Sequence, residues 1–439
     1  MKTLYRKNKT EGENQVKKLL ALSMAVVLLL GILSACGSKE SSSSESDGGV
    51  VKLTLWHPKG DTSDAYTKII KEFNQKYKGK IEAEMTFIPR GNKYAYEDKV
   101  SAAATSNTLP DLVAMDGPNV ANYADSGIIQ PIDGLVENQD DFVKSIITQG
   151  TFNGKLYTVG ATESTVALFY NKKMLADAGI QPPTKLEDAW TWDQFYEAAK
   201  KLTDKKKGIY GVNWTLDYGE WIIYFSGPTV WSNGGSFIAK DGSKAEGYVN
   251  GPKAVEALKY LQKFTKEGLV NLQPKPTEFE EGKAAMMLMG SWEWRKLQDY
   301  PNTEWGITYY PKSNNGEQVS PSGDWNWGIS KDTKHKKEAA TLLNFILNKD
   351  NVIKLAKADN KPAARMSSFE AMTEWNEAPL NILKDQVLKT AHPRPVTTAY
   401  PVLSTKYGQA VQNIFLGGNV KEELDKVAKE VDKEIGRKK

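Results

Sequence analysis

The feature that most constrains this chain is its repeated switch between two hydrophobic periods beyond residue 50. In Val51-Lys52-Leu53-Thr54-Leu55 apolar and polar side chains alternate, as in a strand with one face buried. Tyr66, Ile69, Ile70, Phe73 and Tyr77 then fall on one helical face, and Gly79 ends that run. Alternation returns at Ile81, Ala83, Met85 and Phe87, and a third apolar run, Leu112-Val113-Ala114-Met115, leads into Asp116-Gly117-Pro118. Further on, Thr191-Trp192-Asp193-Gln194 has capping-box spacing ahead of Phe195, Ala199 and Leu202. Asn250-Gly251-Pro252 places a proline in the first turn before Val255, Leu258 and Leu261. Val420, Leu424, Val427, Val431 and Ile435 make the stripe of a last amphipathic helix. Strands separated by helices predict an α/β fold with mostly parallel sheets, and the length exceeds what one core comfortably holds. In such folds ligands sit beyond the carboxyl ends of strands, which draws attention to His57 and Asp116.

The first 50 residues follow different rules. Lys2, Arg6, Lys7, Lys9, Lys17 and Lys18 form a basic head, Leu19–Leu33 is uncharged and apolar, and Leu33-Ser34-Ala35-Cys36 closes the segment. A basic head, a short apolar run and small residues describe a secretion signal, and the run falls short of the roughly 20 residues that span a bilayer. Cys36 is the single cysteine, so no intrachain disulfide and no thiolate metal cluster is expected. The Leu-Ser-Ala-Cys sequence resembles the lipobox of bacterial lipoproteins. The resemblance implies a signal peptide over 1–35, diacylglyceryl modification of Cys36, and a Gly/Ser/acid-rich tether over 36–50. The leader holds six of the 58 basic and two of the 54 acidic side chains, so its removal leaves 52 of each. A neutral mature chain offers no basic patch for nucleic acid.

Catalytic signatures are missing. The three histidines, His57, His335 and His392, lack metal-ligand spacing, and neither a Gly-x-Ser-x-Gly elbow nor a phosphate-binding loop occurs. Aromatic residues stand out instead: 12 Trp and 19 Tyr, several beside Gly, Asp or Ser. Trp221, Trp231, Trp292-Glu293-Trp294 and Asp324-Trp325-Asn326-Trp327 are the main examples. The C–H face of a sugar ring suits the negative face of an indole, and its hydroxyls need the acceptors and donors of neighbouring polar groups. Core packing is the competing use of each indole, and the period of two puts Trp325 and Trp327 on one strand face.

Four segments carry a family resemblance. They are LPDLVAMDGPNVANYADSGIIQPID (109–133), NGKLYTVGATESTVALFYNKKMLADAGI (153–180), FEEGKAAMMLMGSWEW (279–294) and WNWGISKDTKHKKEAATLLNFI (325–346). In this order they resemble the extracellular solute-binding proteins of ABC sugar importers, the group that contains maltose-binding protein. The resemblance implies a two-lobe, type II periplasmic-binding-protein-like fold with a hinged cleft. Lobe one would be 51–162 plus 326–363, and lobe two 163–325 plus 364–439. It implies a di- or oligosaccharide in the cleft, delivery to a permease, no catalysis, no cofactor, a monomer, and a position outside the cell membrane held by lipid. Carried onto this chain, the ligand-binding candidates are His57, Asp116, Glu163 or Ser164, Trp221, Trp231, Trp292, Glu293, Asp324, Trp325 and Arg394. Asp324 and Trp325 stand where many relatives have glycines. Two other readings stay open: a lipid-anchored glycoside hydrolase, and a solute-binding protein for peptide, polyamine or iron.

Overall fold

A computed structural model describes residues 49–90, 94–214 and 219–438. The leader 1–35, Cys36 and the tether up to residue 48 lie outside the described residues.

The predicted periods become the predicted elements. Strand β1 (Val51–Pro58) buries Leu53, Leu55 and His57, and the helix Ser63–Lys76 lays Tyr66, Ile69, Ile70 and Phe73 against it. Strand β2 (Ile81–Ile88) follows and pairs in parallel with β1 along its whole length. Strand β3 (Leu112–Asp116) is buried throughout, as a central strand must be. A small hairpin comes next, β4 (Thr151–Phe152) with β5 (Lys155–Leu156). Its Asn153-Gly154 turn takes positive φ at both residues, 48° and 74°, the conformation for which Asn-Gly is suited. Strand β6 (Thr158–Gly160) and the later β12 (Trp325–Ile329) complete a five-stranded sheet in the order β2-β1-β3-β12-β6.

The second sheet is built from β7 (Val166–Asn171), β8 (Tyr210–Asn213), β9 (Ala284–Gly290) and β10 (Trp305–Thr308), in the order β10-β7-β9-β8. Two short strands, β11 (Ser320–Ser322) and β13 (Ala391–Pro393), pair with each other. The capping box on Thr191 and Gln194 forms in full, Pro252 opens its helix, and the final helix Val420–Arg437 buries all five stripe residues.

One expectation about the sheets needs correction: they are mixed rather than mostly parallel. In the first sheet β12 runs antiparallel to both β3 and β6, and in the second β7 runs antiparallel to β9 and β10. The reason lies in the connectivity. β6 leaves the first sheet and continues into β7 of the second, and β12 enters the first sheet after β10 and β11. Strands that pass between sheets need not obey the right-handed crossover that makes neighbours parallel.

Three segments pass side by side between the sheets. Glu163 N donates to Pro362 O at 2.9 Å and Ala364 N to Ala161 O at 3.0 Å, while Gly117 N donates to Asp324 O at 3.1 Å. These bonds align 161–165, 323–325 and 360–365 beside the end of β3.

Candidate functional site

Where those segments meet, the chain encloses a cavity of about 360 Å³, within the range of small-ligand sites. Asp116 reaches it from the carboxyl end of β3, Ser164, Asp324 and Trp325 from the crossing segments, and Trp292 from the turn after β9. Trp221, Tyr224 and Glu220 come from the helix Gly219–Ser232. Two glycines make the geometry possible. A Cβ on Gly290 would lie 2.2 Å from the Trp292 ring, so the indole can fold back over the strand end only because that side chain is absent. Gly323 has φ of 146° and a Cβ there would sit 2.7 Å from an Arg394 nitrogen.

Charge in the wall is arranged in compensated groups. Arg394 grips Asp116 with two bonds, Nη1 to Oδ2 at 3.0 Å and Nη2 to Oδ1 at 2.5 Å, and reaches Glu220 at 2.5 Å. Glu220 also accepts from the hydroxyls of Ser404 and Tyr400. Burial raises the Glu220 acid above the usual carboxylate range, and Arg394 opposes that rise. On the other side Lys361 bridges Asp324 at 3.0 Å and Asp359 at 2.8 Å, and Thr162 donates to Asp324 at 2.7 Å. Burial alone would push the Lys361 ammonium down, but the two aspartates hold it well above its ordinary value. Three acids (Asp116, Glu220, Asp324) and three bases (Arg90, Lys361, Arg394) line the cavity, so the wall is formally neutral.

Indoles supply the flat surfaces. Trp221 and Trp292 meet edge to face at 5.9 Å, and Tyr224 lies nearly parallel to Trp292 at 6.4 Å. Lys361 Nζ sits 5.4 Å above the Trp292 ring. Trp325 is held by Tyr96 edge-on at 5.3 Å and carries the Arg90 guanidinium 5.0 Å above its face. The Trp221 Nε1–H and Arg394 Nε–H are buried without an acceptor among the described residues, leaving two donors in cavity-lining side chains.

Of the candidates named from sequence, Asp116, Ser164, Trp221, Trp292, Asp324, Trp325 and Arg394 converge on this cavity. The others lie elsewhere. His57 lines a smaller adjoining cavity that shares Arg90, Asp324, Trp325 and Lys361 with this one; it packs on Tyr66 at 4.6 Å and Trp327 at 5.3 Å, and burial lowers its pKa to about 4. Trp231 lies further along the Gly219–Ser232 helix and stacks on His392 at 4.2 Å. Glu293 turns away from Trp292 and pairs with Lys296 at 2.8 Å in a neighbouring cavity.

Glu163 and Ser164 separate cleanly. Ser164 lines the cavity and shares a hydrogen bond with the Tyr224 hydroxyl at 2.8 Å. Glu163 points the other way, fully buried, and clamps the crossing: Oε1 accepts from Ser164 N at 2.9 Å and Gly323 N at 2.6 Å, Oε2 from Ser145 Oγ at 2.5 Å. Burial raises its pKa from 4.5 to about 7 despite these donors. A carboxyl raised on folding binds its proton more tightly in the native state, so its contribution to stability is full below the unfolded value and is lost as pH rises through the folded one. The stability of wild type relative to Glu163→Gln should therefore fall by roughly 2–3 kcal/mol between about pH 5 and pH 8, whereas buried His57 adds a slope of the opposite sign that both proteins share. Denaturant melts of the two proteins across that range check it; a difference that does not change with pH would refute the assignment.

Sequence reasoning missed Arg90, Glu220, Tyr224, Met289, Gly323 and Lys361, all on the cavity wall. Glu220 carried a usable signal as the one charge at the head of an otherwise uncharged run, 219–232. Among the described residues no group of His, Cys, Asp or Glu is placed to hold a metal ion, and no helix is long and apolar enough to cross a membrane.

A chain with two mixed sheets, three connecting segments and a walled cavity at their junction has the architecture of a type II periplasmic binding protein. Residues 59–353 match the sequence model of the family described as bacterial extracellular solute-binding protein, and the chain belongs to that family. Relatives include the galactooligosaccharide-binding protein of Bacillus subtilis (strain 168), 25% identical over 92% of this chain and 94% of that protein. The maltooligosaccharide ABC transporter solute-binding lipoprotein of Streptococcus pneumoniae (strain ATCC BAA-255 / R6) is 25% identical over 75% and 76%. Among solved structures, the cyclic alpha-maltosyl-1,6-maltose binding protein from Arthrobacter globiformis superposes with a TM-score of 0.76 at 26% identity, covering 89% of this chain and 100% of that one.

Proposed function

We propose that this protein is the substrate-binding component of an ABC importer, lipid-anchored through Cys36 outside the cell, and that it binds an uncharged oligosaccharide in the cavity. The observation that carries the reading is the wall itself: three indoles and a tyrosine surround a site lined by three acids and three bases. A cationic polyamine or ferric ion, or a charged peptide terminus, calls for an excess of the opposite charge. A glycan calls for flat apolar faces and for charge-assisted hydrogen bonds to hydroxyls, which this wall offers. Relatives named for binding galacto- and maltooligosaccharides support the same reading. Hydrolysis is disfavoured because all three acids in the wall, Asp116, Glu220 and Asp324, are each engaged by a buried cation, whereas glycoside cleavage needs one carboxylic acid free to donate.

On this reading the lobes are 51–162 plus 326–363 and 163–325 plus 364–439, Asp116 and Arg394 meet from opposite lobes, and the protein works as a monomer that presents its closed form to a permease. Closure gains from ligand only what the ligand binds more tightly in the closed state.

A thermal-shift panel on the full chain in mild detergent tests it. Neutral oligosaccharides should raise the melting temperature, whereas peptides, spermidine and ferric citrate should leave it unmoved, and chromogenic glycosides should remain uncut. A shift with a charged cargo and none with any glycan would replace the reading.

A further inference from the structure

The cavity has a neighbour. Met289, half-buried on β9, lines the first cavity and also a second of about 580 Å³. Trp292 and Glu293 are consecutive residues, yet the indole faces the first cavity and the carboxylate the second. One wall of the second cavity is apolar, with Met287, Leu272, Phe415 and Leu416. Leu272 and Leu416 are 38% and 75% exposed, which sets them among the few large apolar side chains left open to water among the described residues. The lining also holds a row of charge: Lys296 bridges Glu280 and Glu293, both at 2.8 Å, and each carboxylate belongs to a residue only 4% exposed. Lys296 donates a hydrogen bond to Glu280, whereas the buried Glu293 Oε1 has no hydrogen-bond donor among the described residues and can accept one from a hydroxyl, and the half-exposed ammonium keeps donating capacity toward the cavity.

We propose that this second cavity is the continuation of the ligand groove, so that the bound molecule is a glycan longer than a disaccharide. Its first rings lie among Trp221, Trp292 and Trp325, and the chain passes over Met289. A further ring lies with its C–H face on Leu272 and Leu416 and its hydroxyls toward Lys296. Resting on the oligosaccharide reading above, this assigns the ligand a length and a direction. A lining that joins apolar side chains to an ionic row with an unpartnered acceptor fits a neutral amphipathic ring and disfavours a lipid tail, which would leave the row without a polar partner.

Calorimetry on the full chain in mild detergent, with neutral gluco-, galacto- and manno-oligosaccharides from disaccharide to pentasaccharide, tests the proposal. Affinity should rise with length in the series that binds. The double substitution Leu272→Ser and Leu416→Ser changes only exposed side chains, so folding is retained. It should weaken the longer glycans by about tenfold and leave the disaccharide unchanged. Lys296→Gln should act in the same direction. Affinity independent of length, or equal losses for short and long glycans, would overturn the extended groove while leaving the oligosaccharide reading intact. If no glycan bound at all, both would fall.

Discussion

Replacing Arg394 by methionine should cost about 3–5 kcal/mol of stability and abolish ligand binding. The guanidinium is 5% exposed and is the cation that Asp116 and Glu220 share. Methionine fills a similar volume but leaves two carboxylates facing each other in the wall, with only the Ser404 and Tyr400 hydroxyls remaining on Glu220. Arg394→Lys keeps the charge but loses the two-bond grip on Asp116, so its cost should fall between wild type and methionine. Denaturant melts of the three proteins rank the effect. A methionine variant as stable as wild type would mean that the pairing contributes little, and the neutrality of the wall would need another source.

Trp292→Ala should weaken glycan binding by about 2 kcal/mol or more, roughly thirtyfold, as loss of a central aromatic anchor does. Several contacts converge on this ring: Trp221 edge-on, Tyr224 alongside, and Lys361 above it. Because the indole is half-buried and folds over Gly290, the variant opens the cavity without emptying a core position. Melting temperature should drop far less than for Arg394→Met, so affinity and stability part company. Trp231→Phe is the internal contrast: its ring stacks on His392 away from the cavity, and affinity should be unchanged. Calorimetric Kd values for the three proteins decide the matter, and an unchanged Kd for Trp292→Ala would remove the ring from the site.

Much of this was legible because local periodicity and the ends of strands are local properties. Leu53 and Leu55 announce a half-buried strand, the Thr191 capping box announces a helix start, and Asp116 ends its strand where α/β sheets place ligands. What failed is tertiary. The Glu163-Ser164 pair lies on a crossing segment where alternate residues face opposite sides, and nothing local fixes which faces the cavity. Trp231 follows Trp221 on one helix, yet ten residues carry it about 15 Å along the axis and off the wall. That helix is apolar on most sides, so Tyr224 gave no amphipathic cue. Lys361 sits in a connection between the helices Lys349–Asp359 and Met366–Ala371, and only the fold brings it to Asp324. The expectation of mostly parallel sheets failed for the same reason: strand direction depends on which strands cross between sheets.

The central claim is that a neutral glycan lies against the indoles of the cavity, and tryptophan emission tests it most directly. Titration of the full chain with the oligosaccharide that raises its melting temperature should give a saturable change in emission, much reduced in Trp292→Ala at saturating glycan. A glycan that binds by calorimetry yet leaves the emission unmoved would place the ligand away from these rings and contradict the account.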